Sequence, residues 1–220
     1  MNCELISVGT EILLGDIVNT DAQFLSRELA ALGIDVLYTD VVGDNRERLT
    51  DTLRRALSRS DIVILSGGLG PTKDDLTKEV CCETMGVPLR EDARALAWIE
   101  EYFRRRGTPM ADINRKQALV PEGGVVFYNS RGTAPGCAVE RDGKCVILLP
   151  GPAARAQSDV YRGCAPLSVG KNMRMGRSCP APCAPLVLES RPWRRRCPIC
   201  WIGRIRPWPR MRNRARRSCA

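Results

Sequence analysis

The segment that decides the fold reads Asp61-Ile62-Val63-Ile64-Leu65-Ser66 and continues as Gly67-Gly68-Leu69-Gly70-Pro71-Thr72-Lys73-Asp74-Asp75. Within the first six residues, residues 62–65 form a short apolar run without alternation, which is typical of a central parallel strand buried on both faces. Glycines follow, and a helix is predicted from about residue 74 to residue 85. Glycine lets backbone N–H groups approach an anion, and a helix N-terminus adds a favourable dipole. The segment therefore predicts a phosphate-binding loop at the carboxyl edge of a sheet.

Two carboxylates follow the glycines, Asp74 and Asp75, in the predicted first turn of that helix. Because residues three positions apart share a helix face, Thr72 and Asp75 are expected to face the anion together, with Asp74 about 100° away. Either carboxylate could hold Mg²⁺ or a similar divalent metal, although acidic residues in a first turn also simply stabilise helices. The alternative for the whole segment is a tight turn that binds nothing.

The same alternation of strand and helix extends in both directions along the chain. Strands are predicted at residues 3–9 and 34–42, and helices at 20–32 and 45–60, with Thr20 as a candidate N-cap and Gly33 after the first helix. Further helices are expected at 93–106 and 111–119, a strand at 125–128, and a hairpin of strands 137–140 and 144–149 around Arg141-Asp142-Gly143. This order predicts an α/β fold with right-handed crossovers.

Composition divides the chain near residue 151. Residues 1–151 carry 18 Lys and Arg against 23 Asp and Glu, a net charge of −5, whereas residues 152–220 carry 16 against 2, a net charge of +14. The second part holds 9 Pro, 15 Arg and 6 Cys and lacks a helical or alternating apolar pattern. The sequence therefore predicts a domain over 1–151 and a disordered basic tail over 152–220.

Several classes of function are disfavoured by composition. Histidine is absent, which removes Ser-His and Cys-His nucleophiles and histidine-ligated metals. No signal peptide is recognisable, and no run approaches the roughly 20 apolar residues of a membrane span. A cytoplasmic protein with free thiols and no membrane partner is expected.

Two other loops are candidates for the same sheet edge. Asp44 lies where the second strand gives way to a helix, so it is either an N-cap or a ligand-binding residue. A third loop is rich in small residues that could admit a ligand or simply turn the chain, namely Asn129, Gly132, Thr133, Pro135 and Gly136.

Six ordered segments resemble the amino-terminal domain of CinA, the competence/damage-inducible protein A, within the wider molybdopterin-binding family of MoaB and Mog. The matching segments are residues 7–16 with Asn19 and Thr20, 42–44, 66–77, 114–121, 129 with 132–136, and 149–152. One departure is Asp21, where the family usually has Asn. The second domain of full-length CinA proteins, a nicotinamide-mononucleotide deamidase, is not recognisable.

The resemblance implies a three-layer α/β/α domain with a mainly parallel mixed sheet that binds a nucleotide or pterin phosphate. It implies metal-dependent ADP-ribose pyrophosphatase activity, with Asp75, Asp44, Asp74 and Glu11 as catalytic candidates and Asp75 and Asp74 as metal ligands. The expected substrate contacts come from the loops, namely Gly67, Gly68, Gly70, Pro71, Thr72, Asn129, Gly132, Thr133, Pro135 and Gly136. An alternative is a molybdopterin-binding or adenylyl-transferring module of molybdenum-cofactor synthesis. A homo-oligomer is left open.

The tail has its own interpretations. Its spacing of Cys179, Cys183, Cys197 and Cys200 resembles a zinc ribbon, but prolines crowd both pairs. Its Arg and Trp content predicts non-specific nucleic-acid binding. The Arg, Pro and Cys bias is also typical of GC-rich coding sequence read out of frame, so we expect a frameshift near residue 152 and, as a third functional alternative, an inactive product. If no other reading frame of the DNA near residue 152 encodes family-like sequence, the frameshift is contradicted.

Overall fold

The structure is a computed structural model that describes residues 1–129 and 132–151. Its eight strands are β1 (Asn2–Val8), β2 (Asp35–Val42), β3 (Ile62–Ser66), β4 (Leu89–Glu91), β5 (Leu119–Pro121), β6 (Val125–Phe127), β7 (Gly136–Arg141) and β8 (Lys144–Leu149). Six of them form one sheet in the order β2-β1-β3-β8-β7-β6, and β4 pairs with β5 separately. Strands β2, β1, β3 and β8 pair in parallel, whereas β7 pairs antiparallel with both β8 and β6, which confirms the predicted mainly parallel mixed sheet.

The described helices are α1 (Thr10–Leu13), α2 (Thr20–Ala31), α3 (Arg46–Arg59), α4 (Thr77–Met85), α5 (Ala93–Arg105) and a 3₁₀ helix at Asp112–Ala118. Helices α2, α3 and α4 each follow a parallel strand, as the strand-helix alternation predicts. Asn19, rather than the predicted Thr20, caps α2, because its side-chain oxygen accepts from the amide of Ala22 at 3.1 Å. Gly33 ends that helix region with φ of +73°, as expected.

Strand β3 separates two apolar cores, which makes the fold three-layered. Ile62 and Ile64 face the core that contains α2 residues such as Leu25 and Leu29. Residues 63 and 65 face the opposite core, which contains residues of α3 and α4. Since side chains alternate across a strand, one uninterrupted apolar run supplies both faces. Each fully buried leucine stabilises the fold by about 1.5–3 kcal/mol.

A buried charge cluster joins the start of β1 to the end of α3. Glu4 is fully buried, and its two carboxylate oxygens accept from the Arg59 guanidinium at 3.0 and 2.6 Å and from Ser60 Oγ at 3.0 Å. Burial alone would raise the pKa of Glu4, but these hydrogen bonds and the charge of Arg59 lower it below 4.5. The cluster lies at the start of β1 and therefore away from the carboxyl edge of the sheet.

The structure corrects three predictions about the elements. Helix α4 begins at Thr77 instead of residue 74, because Asp75 closes a turn with Thr72. The predicted helix at 111–119 is a 3₁₀ helix, in which the amide of Asn114 binds the carbonyl of Ala111 three residues back. The sequence prediction also missed the short pair β4 and β5.

The hairpin between β7 and β8 agrees with its prediction. Asp142 and Gly143 both adopt positive φ, +52° and +75°, as a type I′ turn requires. Within residues 1–129 and 132–151, no helix is long and apolar enough to cross a membrane. The predictions for residues 152–220, including disorder and the zinc ribbon, lie outside the described residues, and the domain boundary at 151 stays a prediction.

Candidate ligand-binding cleft

A cleft of about 530 Å³ opens where the parallel strands end. Its wall includes Val8 from the end of β1, Ser66 from the end of β3, and Pro150 and Gly151 just beyond β8. The N-terminus of α2 reaches it through Thr20. This is the edge at which open α/β sheets bind ligands, and the volume falls within the range of small-molecule sites.

The glycine loop, residues 67–70, lines this cleft and is shaped by close packing. Gly67 has φ of +99°, and a Cβ atom there would lie 2.1 Å from the carbonyl oxygen of Val8. Gly68 has φ of +64°, and its Cβ would lie 2.2 Å from Thr77 Oγ1. At Gly70 a Cβ would meet the carboxylate of Asp75 at 2.5 Å. At Gly67 the obstructing atom is backbone, so the protein's own packing requires glycine there whatever binds in the cleft, whereas at Gly68 and Gly70 the obstructing atom belongs to a side chain that can shift.

Hydrogen bonds fix the ends of the glycine loop and leave its middle available. The Gly67 amide donates to the carbonyl of Leu149 at 3.0 Å, and its carbonyl accepts from Thr77 Oγ1 at 2.9 Å. The expectation that the Gly67 amide holds an anion is therefore wrong, since β8 already occupies that donor. Among the residues that the structure describes, the amides of Gly68, Leu69 and Gly70 donate to no protein acceptor.

Asp75 organises the turn that follows the glycines. Its Oδ2 accepts from the amide of Thr72 at 2.9 Å and from the hydroxyl of the same residue at 2.5 Å. The sequence predicts that Thr72 and Asp75 share a helix face toward the anion; instead they bind each other in a turn before α4. Lys116 binds the carbonyl of Thr72 at 3.0 Å from the other side. Asp74 is exposed, although it also lines the cleft.

Asp44 and Glu11 lie on the cleft wall near α1. Asp44 Oδ2 accepts from the amide of Thr10 at 3.0 Å and from its hydroxyl at 2.9 Å. The N-cap interpretation of Asp44 is wrong, because Asn45 caps α3 by accepting from the amide of Arg48 at 3.0 Å. Instead, Asp44 joins the segment after β2 to the start of α1.

The third loop is held by a buried amide. Asn129 Oδ1 accepts from the amide of Gly132 at 3.1 Å, and Asn129 Nδ2 donates to the carbonyl of Ala134 at 3.2 Å. Trp98 on α5 also donates to the carbonyl of Gly132, at 3.0 Å. These contacts bring Asn129, Gly132 and Thr133 to the cleft.

Pro135 and Gly136 lie outside the cleft wall, and their assignment as substrate contacts stays a prediction. Gly136 is the first residue of β7 and pairs with Phe127. Its backbone is therefore committed to the sheet.

Sequence reasoning left five polar residues of the cleft wall out of the site candidates, namely Asn19, Thr20, Asp21, Ser66 and Gln117. Asn19 Oδ1 accepts from the backbone amide of Ala22 in α2, and Asn19 Nδ2 donates to Ser7 Oγ at 2.9 Å. These two hydrogen bonds join α2 to β1 at the cleft wall. The place of Asn19 directly before the predicted helix was an available signal. Gln117 is 4% exposed and lies in the 3₁₀ helix. Gln117 lies in the family-like segment 114–121, but nothing in that segment singles it out, because its position depends on how residues 112–118 fold against α4.

Five carboxylates line the cleft, and no lysine or arginine from residues 1–129 or 132–151 joins them; they are Glu11, Asp21, Asp44, Asp74 and Asp75. No group of three or more Asp, Glu or Cys side chains in the described part of the chain is placed to hold a metal ion. Asp44 and Asp75 each use one oxygen in protein hydrogen bonds. A metal at Asp75 and Asp74 would therefore need further ligands, such as waters or ligand phosphates, and it stays a prediction.

A family model described as "Probable molybdopterin binding domain" matches residues 4–162. The chain belongs to this family of molybdopterin-binding-like domains. Relatives named "Putative competence-damage inducible protein" from Symbiobacterium thermophilum and Caldicellulosiruptor saccharolyticus are 59% and 55% identical over 153 and 157 residues. These matches cover 69% and 71% of this chain but only 36% and 38% of the relatives.

The fold also matches a solved structure, the CinA protein with unknown function from Thermoplasma acidophilum. The TM-score is 0.64 at 39% identity, over 70% of this chain and 90% of the other. The sequence resemblance to CinA amino-terminal domains is thereby confirmed.

Proposed function

We propose that the cleft binds a small phosphorylated ligand of the pterin type, with the phosphate at the glycine loop. The observation that carries this proposal is the set of three amides, those of Gly68, Leu69 and Gly70, that lack protein acceptors on the cleft wall. Backbone amides that follow a buried strand and precede a helix form an anion site without any side-chain cation.

Two helices strengthen the anion site. The N-termini of α2 and α4 both lie at this edge of the sheet, and aligned peptide dipoles favour negative charge there. The five carboxylates of the cleft repel an anion, so the phosphate is expected at the amides and the uncharged part of the ligand beside the acidic walls.

The family description supports a pterin in preference to other phosphorylated ligands, since the matched domain is described as molybdopterin-binding. Adenylyl transfer to such a ligand would use the same loop and stays a proposal for this chain. ADP-ribose hydrolysis stays a prediction from the resemblance. The carboxylates do not preassemble the divalent-metal site expected for it.

The test compares neopterin monophosphate with neopterin by calorimetric titration of the full chain. If the loop amides hold the phosphate, the phosphorylated ligand binds at least about tenfold more tightly, since charge-assisted hydrogen bonds are roughly twice as strong as neutral ones. Equal affinity, or no binding of either ligand, would contradict the proposal. A parallel incubation with ADP-ribose and Mg²⁺, followed by chromatography for AMP, tests the hydrolase prediction separately.

A further inference from the structure

Gln117 has a buried oxygen without a partner. Its Oε1 atom makes no hydrogen bond to any residue within 1–129 and 132–151, although the residue is only 4% exposed. The same residue forms part of the cleft wall. A buried acceptor that loses its hydrogen bonds to water destabilises a fold unless something else binds it.

Asn129 offers an internal comparison. It is 5% exposed, lines the same cleft and also carries an amide, but its oxygen accepts from the amide of Gly132 and its nitrogen donates to Ala134. Loop structure therefore accounts for the Asn129 amide. No protein contact accounts for the oxygen of Gln117.

Neighbouring lysines hold the backbone at Gln117 in place. The Nζ atom of Lys78, which is 4% exposed, donates to the carbonyl of Gln117 at 2.7 Å. Lys116, the preceding residue, donates from Nζ to the carbonyl of Thr72 beside the glycine loop. The same Nζ atom lies 3.2 Å from Oε1 of Glu79. Gln117 is thus fixed between α4 and the turn that follows the glycine loop, as a preorganised recognition residue should be.

We infer that Gln117 determines ligand specificity, with its side-chain Oε1 accepting an N–H of the exocyclic 2-amino group on the ring of the ligand whose phosphate lies at the glycine loop. This inference rests on the proposed function. It specifies which part of the ring is recognised, the 2-amino-4-oxo edge of a pterin, which guanine shares. A ring with a carbonyl in place of the amino group offers Oε1 no donor at that position and binds more weakly.

The test uses ligand pairs that differ only in this edge. Neopterin monophosphate is compared with its 2-oxo analogue, and GDP with xanthosine diphosphate, so that the preferred pair identifies a pterin or a nucleotide as the source of the ring. For the unmodified full chain, we expect the 2-amino member of one pair to bind about tenfold or more tightly than its partner.

The variant Gln117→Met keeps the length of the side chain and removes its polar atoms. It should weaken binding of the 2-amino ligand by about tenfold and leave the 2-oxo ligand unchanged, without lowering the midpoint of urea unfolding. Gln23→Met makes the same change at an exposed position of α2 outside the cleft and should alter neither measurement.

Three results would overturn the inference. Equal binding of both members of each pair by the unmodified chain removes it directly. A Gln117→Met variant that is less stable but keeps its preference shows that the amide is structural. The proposed function fails as well if the chain binds none of the four ligands, or binds each with the same affinity as its unphosphorylated form. Failure of the inference alone is therefore distinguishable from failure of the proposed function.

Discussion

Replacing Gly67 with alanine tests whether packing fixes the glycine loop, and Gly33 supplies the matched control. Both glycines have positive φ, +99° and +73°, so alanine is strained at either position by about 1–2 kcal/mol. At Gly33 nothing lies within 4 Å of the added Cβ, and this strain is the whole effect. At Gly67 the Cβ would lie 2.1 Å from the backbone oxygen of Val8, and contacts under 3.0 Å essentially never occur.

Because Val8 ends the central strand β1, that clash can be relieved only by moving backbone. We expect Gly67→Ala to lower the free energy of unfolding by about 3–5 kcal/mol in total, against about 1–2 kcal/mol for Gly33→Ala. Urea unfolding of the full chain, followed by circular dichroism at one wavelength, measures both values. If the two variants lose the same free energy of unfolding within about 0.5 kcal/mol, the packing argument is refuted. A difference of that size is typical of surface substitutions that disturb no packing.

Three further predictions concern other parts of the fold. Glu4→Gln should destabilise the protein by about 2 kcal/mol, because the Arg59 guanidinium then keeps only one ion pair among the described residues, the longer 3.6 Å contact with Asp40. Since the folded-state pKa of Glu4 lies below 4.5, the difference from the unmodified chain should be full above pH 4.5 and shrink as the pH falls below it, as unfolding titrations can show. Burial raises the pKa of Cys137 to about 11, so peptide mapping after thiol labelling of the native protein at pH 8 should find it unmodified, and rapid labelling would contradict its burial. Trp98→Phe removes a hydrogen bond to the carbonyl of Gly132 and should speed hydrogen exchange of the Gly132 amide about fivefold, whereas an unchanged rate would show that Asn129 alone holds the loop.

The sheet could be predicted because its signals are local. Residues 62–65 are apolar at every position, which is typical of a strand buried on both faces. The turn at Asp142 and Gly143 is likewise specified by its own residues. Strands β4 and β5 have three residues each, which is too short for either periodicity to appear.

The start of α4 and the nature of residues 112–118 depended on side-chain contacts that periodicity does not record. Asp75 binds back to Thr72 and delays the helix, although its acidic character is also typical of a first helical turn. In the cleft, the glycine loop was recognisable from its composition, but the reason for Gly67 lies in the approach of Val8 from another strand. Gln117 could not be found from sequence, because its significance is an unpartnered oxygen that only the packed structure reveals.

The most direct test of the central claim is a crystal structure of the full chain with neopterin monophosphate. The account predicts that phosphate oxygens lie within about 3.2 Å of the amides of Gly68, Leu69 and Gly70, in a glycine loop that keeps its present shape. A phosphate bound away from these amides, with the glycine loop vacant, would contradict the claim that this loop is the anion site.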